Sequence, residues 1–178
     1  PEIHLFVGSF GHRPNRSAAE LLVTSIWPRV RSSRPAAQLL LAGRGSREFD
    51  ASLPPAAVAP GVQALGFVDD RADLYRRTRL VAAPLTEGGG IKIQSLVAMA
   101  RGVPVVTTPV GAEGIAAAGD DALVIAPADA DFAPALAAAA GDWERLRRLS
   151  RRGRERIERE FSWTTIVATL TRIYGAGD

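Results

Sequence analysis

At 178 residues, 47% hydrophobic and 23% charged, the chain has the size and composition of one globular domain with a self-sufficient core. With no cysteine it has no disulfide framework, thiolate zinc site or thiol nucleophile, and two histidines cannot build a histidine-rich metal cluster. The net charge of +3 rests on 21 arginines and one lysine, with many of the arginines between Arg145 and Arg159 interleaved with Glu144, Glu155, Glu158 and Glu160, the pattern of a solvated helix face and not of a one-signed nucleic-acid surface.

The longest apolar stretch, around Leu80–Leu85, is far short of the roughly 20 residues that span a bilayer. Pro1-Glu2-Ile3-His4 lacks the basic and apolar regions of a signal peptide, and a start at proline is that expected of a piece of a longer polypeptide. A cytoplasmic, reducing setting is the default expectation. Membrane association is not readable from these residues.

In chain order, apolar runs at 4–8, 38–42, 62–67, 80–85, 103–107 and 122–126 predict six strands. Their near-continuous hydrophobicity suits a parallel sheet covered on both faces. Helical patterns lie between them. Pro14-Asn15 gives a turn and cap before Ala18, Ala19, Leu22, Val23 and Ile26, with Pro28 either kinking this helix or ending its regular part. A short helix fits Asp70 to Arg77, and another fits Ile91 to Ala100, closed by Gly102. The stretch from Leu53-Pro54-Pro55 to Ala59-Pro60 reads as a loop. The tail reads as consecutive helices over 129–140, 143–161 and 163–174, packed on one flank of the sheet, with Ser162 as the N-cap of the last. The expected fold is one α/β domain, 1–178, with a doubly wound, Rossmann-like six-stranded parallel sheet and extra C-terminal helices over 141–178.

Such sheets bind ligands beyond the carboxyl ends of their strands, near a topological switch point. After the fourth expected strand, Glu87-Gly88-Gly89-Gly90-Ile91-Lys92 opens into a helix. Three glycines let the backbone approach a ligand, and the helix N-terminus favours an anion such as a diphosphate. Lys92, the only lysine, stands where it can reach the same anion; the alternative is a flexible loop with an incidental lysine. Arg44, between Gly43 and Gly45 after the second strand, is a candidate phosphate contact, with a capping or surface role competing. Phe67 and Val68 after the third strand can present backbone groups to a base.

Taken together, these segments resemble the retaining glycosyltransferases of family 4, or group 1, which have the GT-B fold. The resemblance is carried by Leu5-Phe6-Val7-Gly8-Ser9, Arg13-Pro14-Asn15, Leu40-Leu41-Ala42-Gly43-Arg44-Gly45 and Leu65-Gly66-Phe67-Val68-Asp69-Asp70. It continues through Gly88 to Lys92, Met99-Ala100-Arg101-Gly102-Val103-Pro104-Val105-Val106, Pro109-Val110-Gly111-Ala112-Glu113-Gly114 and Phe161-Ser162-Trp163. It implies the C-terminal, donor-binding half of such an enzyme, the acceptor-binding N-terminal domain lying outside this chain. The implied ligand is a nucleotide-sugar (a UDP-, GDP- or ADP-sugar, not distinguished), with no tightly bound cofactor, no metal and no nucleic acid.

By the same resemblance, the Gly88-Gly89-Gly90-Ile91 backbone and Lys92 contact the donor diphosphate. Lys92 stands where the family often has arginine, and it is the catalytic candidate because cationic groups stabilise the departing nucleoside diphosphate. Gly8, Ser9 and Arg13 approach the sugar-phosphate, and Phe67-Val68 meets the base. Two positions depart from the family's pattern: Gln94 stands where lysine is common, and Val97 where a glutamate usually holds the ribose. The isolated domain is expected to be inactive. The alternatives are a degenerate domain kept for binding or assembly, and another GT-B-type enzyme such as a sugar-nucleotide epimerase.

Overall fold

The computed structural model describes residues 2–116 and 121–175. Six strands form one sheet: β1 (Glu2–Val7), β2 (Ala37–Ala42), β3 (Val62–Gly66), β4 (Leu80–Ala83), β5 (Val105–Thr107) and β6 (Val124–Ile125). All pair in parallel, in the order β3-β2-β1-β4-β5-β6. This is the doubly wound arrangement, and its switch point falls between β1 and β4, from which the chain winds outward in both directions. β1, β2, β4 and β5 are almost wholly buried because helices cover both faces, which explains their unbroken apolar runs. The edge strand β3 is only half-buried.

The first helical stretch continues through Pro28 without ending. α1 (Arg13–Leu21) passes through a π turn (Leu22–Ile26) into α2 (Trp27–Ser33). Pro28 has no N–H to give, and its ring would strike the carbonyl four residues back in a regular helix. The wider turn absorbs the misfit, with the Trp27 N–H donating to the Leu22 carbonyl five residues back. Trp27 is fully buried and meets His4 of β1 edge-on at 5.3 Å.

Some elements depart from the sequence reading. α3 (Ser46–Ser52) and the one-turn α6 (Pro109–Ala112) occupy segments not expected to be helical. α4 (Arg71–Arg77), by contrast, lies where the short helix was expected, and Asp70 caps it by accepting from the Asp73 N–H at 3.0 Å. α5 (Ile93–Ala100) starts two residues later than the Ile91 expected. β6 is reduced to two residues.

In the tail, α7 (Phe132–Gly141) buries Phe132, Ala133 and Leu136 and lies against α2 and β5. α8 (Trp143–Arg156) buries Leu146 and Leu149 and lies against α5 and α7. A second π turn (Ile157–Phe161) leads to α9 (Trp163–Tyr174), which Ser162 caps by accepting from the Thr165 N–H at 3.2 Å. The tail was expected to lie packed on the sheet, yet no residue of α9 is buried. The end of the expected 141–178 span, residues 176–178, lies outside the described residues, as does Pro1. Among the described residues no helix is long and apolar enough to cross a membrane.

Candidate functional site

At the carboxyl edge of the sheet the loops after β1, β2 and β3 are stitched to one another. The Phe10 N–H donates to the Arg44 carbonyl at 2.9 Å, and the Gly43 N–H donates to the Gly66 carbonyl at 2.8 Å. The contact between the first two loops is so close that a Cβ at Gly43 would lie 1.9 Å from the Gly8 carbonyl oxygen. Gly43 also has a φ of +132°, so only glycine fits there.

On the other side of the switch point, the loop from Thr86 to Lys92 leads into α5. Gly88 and Gly90 have positive φ, and a Cβ on Gly89 or Gly90 would meet nothing within 4 Å. This stretch of backbone faces open space. The loop is tied to the start of α1: Glu87 accepts from the Ser17 hydroxyl at 3.0 Å and pairs with Arg13 at 3.5 Å. A second tie runs from the Gln94 amide to Asn15 at 3.4 Å, and from Asn15 to the Ser9 carbonyl at 3.1 Å.

Between these loops lies a cleft of about 420 Å³. Of the residues singled out in the sequence, Gly8, Ser9, Arg44, Phe67 and Val68 line it, as do Gln94 and Val97 of α5. Arg71, Leu74 and Ile93 also line it and were not anticipated. Their signal lay in which face of α4 and α5 turns toward the switch point, and a helix of seven or eight residues shows that only weakly in sequence. Gly88, Gly89, Gly90, Ile91 and Lys92 are not part of this wall, and neither is Arg13, whose exposed side chain goes to Glu87.

Lys92 is buried, with only 8% of its surface accessible. Its ammonium donates to the carbonyls of Gly88 at 2.8 Å and Gly90 at 2.7 Å, and stands 3.9 Å from a Glu113 carboxylate oxygen. The lysine therefore holds the glycine loop in shape from within. Ile91 packs toward Gly114, where an added Cβ would lie 2.7 Å from its side chain.

Among the described residues no carboxylate lines the cleft, and its charged side chains are the guanidinium groups of Arg44 and Arg71. Neither has a carboxylate partner within 4.0 Å among the described residues. Val7, Val68, Leu74, Ile93 and Val97 make most of the remaining wall apolar. An apolar slot with two guanidinium groups, backbone amides and a nearby helix N-terminus suits a flat, partly apolar ligand carrying an anion. Among the described residues no group of three histidine, cysteine or acidic side chains is placed to hold a metal ion.

A family model described as glycosyl transferases group 1 matches residues 1–143. A GDP-mannose-dependent monoacylated alpha-(1-6)-phosphatidylinositol monomannoside mannosyltransferase of Corynebacterium glutamicum is 30% identical over 155 residues, covering 82% of this chain and 41% of the relative. The chain thus spans less than half the length of that relative. Among solved structures, the C-terminal domain of a group 1 glycosyl transferase, LpcC, from Francisella tularensis superposes with a TM-score of 0.67 at 16% identity, covering 91% of this chain and 86% of that one. Anabaena HepE, solved with UDP and glucose, superposes with a TM-score of 0.76 at 17% identity, covering 98% of this chain and 48% of that one. At these identities the structural likeness speaks for the fold.

Proposed function

The chain belongs to the group 1 glycosyl transferases, and from that membership we propose that it binds the nucleotide-sugar donor of an enzyme that transfers a sugar with retained configuration. The observation that carries this reading is the cleft at the switch point, where Gly8, Ser9, Arg44, Phe67 and Val68 converge with the first turns of α5. The base enters the apolar slot beside Phe67 and Val68. The diphosphate lies toward the open Gly88–Gly90 backbone and the N-terminus of α5, whose first N–H groups have no acceptor within the helix. Lys92 acts chiefly by holding that backbone in shape and by adding its positive charge beneath it. The acceptor-binding part belongs to a further stretch of the same polypeptide, in keeping with the 41% of the mannosyltransferase relative that this chain covers.

Calorimetric titration with GDP, UDP and ADP, and with GDP-mannose and UDP-glucose, tests the reading. GDP-mannose and UDP-glucose lead the set because the mannosyltransferase relative is named for one and HepE was solved with the components of the other. Saturable binding of at least one nucleotide, weakened in Arg44→Ala, is the expected result. Absence of any binding removes the donor assignment.

A second reading has its own observation. Val97 and Gln94 face the cleft and among the described residues no carboxylate does, so the ribose hydroxyls meet no charged acceptor. A domain kept for binding or assembly without transfer fits that wall. It predicts that a nucleotide binds while the complete polypeptide fails to turn the donor over.

A further inference from the structure

Opposite the donor cleft, at the amino-terminal edge of the sheet, lies a groove of about 440 Å³ into which five arginines project. They arrive from separate elements: Arg79 just before β4, Arg101 at the end of α5, and Arg147, Arg151 and Arg154 along α8. Thr78, Ser150 and Trp143 add two hydroxyls and an indole, and among the described residues no carboxylate lines the groove.

Three of these five arginines, Arg79, Arg101 and Arg147, differ from the other two in their partners. Arg148 and Arg152 pair with Glu144 and Asp121, and the outer groove residues Arg151 and Arg154 pair with Glu155 and Glu158. Arg79, Arg101 and Arg147 have no carboxylate within 4.0 Å among the described residues. Aromatic rings and a carbonyl hold them instead. The Arg79 and Arg147 guanidinium groups lie 5.8 and 5.2 Å from the Trp143 ring, and Arg101 lies 5.5 Å from the Tyr75 ring. Arg79 also donates to the Ala140 carbonyl at 2.9 Å. Aromatic faces position a guanidinium while leaving its N–H fork free for an oxyanion. Uncompensated like charge in a concave groove concentrates the field there and draws anions.

We propose that this groove is an anion-binding site for a phosphate-bearing ligand, separate from the donor cleft. Planar forks held at fixed positions match phosphate oxygens in bidentate fashion, and much of the ordering cost is already met in the free protein. The same chemistry is presented by a soluble diphosphate and by the headgroup of an anionic phospholipid.

The test uses the 178-residue chain carrying Trp163→Phe. Trp27 is fully buried, so Trp143 then supplies the exposed indole signal. Pyrophosphate is titrated while following Trp143 fluorescence, and vesicles of phosphatidylglycerol are compared with vesicles of phosphatidylcholine by flotation. The comparison protein adds Arg101→Ala and Arg147→Ala, whose side chains are exposed and whose loss leaves the core intact.

Site occupancy predicts a saturable Trp143 response, or flotation with phosphatidylglycerol alone, that weakens by about tenfold or more in the double variant and with rising salt. A response to pyrophosphate identifies a soluble ligand, and flotation without one identifies a headgroup. Binding that is absent from both arms, or unchanged by the double substitution, overturns the site. Nucleotide binding at the donor cleft, measured in parallel, should be the same in both proteins.

Discussion

Lys92 directs its ammonium into its own loop, onto the Gly88 and Gly90 carbonyls. From sequence, a lone lysine beside three glycines was expected to reach a phosphate, with an incidental lysine as the alternative. Sequence did not show the direction of the side chain, because the positive φ of Gly88 and Gly90 turns their carbonyls toward it. Lys92→Ala therefore removes two charge-assisted hydrogen bonds as well as a charge, and nucleoside diphosphate affinity should fall by about tenfold or more in calorimetry. Unchanged affinity would remove Lys92 from the site. Glu2 gives a second residue-scale expectation. Burial pushes its carboxyl up, but hydrogen bonds from Arg34 and His4 outweigh burial and hold it at about 2. The pKa of His4 moves down, because burial opposes its charged form more than Glu2 favours it. Both folded-state values lie below the ordinary ones, so the unfolded chain binds more protons as the pH falls. Stability from these groups is complete above about 6.5. It declines first as His4 resists charging, and then between about 4.5 and 2 as Glu2 loses its partners. The Glu2 part is on the order of 2 kcal/mol at neutral pH, after allowance for the carboxylate's partial exposure. Denaturant melts at pH 7, 5 and 3 should show the fall in wild type and a flatter acid limb in Glu2→Gln.

At the scale of elements, the sheet was legible, as were the short helices α4 and α5, whereas α3 and α6 were not. Six apolar runs bounded by glycines and prolines announce strands because a doubly covered parallel sheet leaves little room for polar residues. α3 carries Phe49 as its only large apolar residue, so it has no helical period to read; it forms because the Phe49 side chain is buried near Phe10, with ring centroids 5.1 Å apart. α9 poses the reverse case. Its amphipathic pattern announces a helix, but Val167, Leu170 and Ile173 remain exposed, at 55%, 46% and 62%. Periodicity reports that a face is apolar and says nothing about what covers it. Removal of residues 163–178 should therefore shift the melting temperature by no more than about 2 °C, since little buried surface is lost. Leu146→Ala in α8, where the side chain is 3% exposed, should cost about 2–4 kcal/mol. A large loss on deleting the last helix, measured by thermal melts followed by circular dichroism, would contradict this ranking.

For the whole molecule, the position of the cleft follows from topology, and its chemistry follows from which helix faces turn toward it. The strand order places a crevice beyond β1 and β4, and the glycine-bearing loops after β1 to β4 could be located from spacing alone. Arg71, Leu74 and Ile93 joined that wall only once the rotation of α4 and α5 was known. The cleft has walls on the sheet side and an open rim, where Phe67 and Ile93 are 61% and 64% exposed. Transfer of a sugar needs more than donor binding: an acceptor must be held within reach of the sugar, and water must be kept from it. Neither requirement is met by a single wall. The isolated chain should accordingly bind its nucleotide with a measurable dissociation constant and release no nucleoside diphosphate above the uncatalysed background when mixed with donor and acceptor sugars. A coupled assay for released diphosphate makes the comparison, with the complete polypeptide alongside. Steady turnover by the 178-residue chain alone would show that this cleft is sufficient, and would place the acceptor site within the fold described.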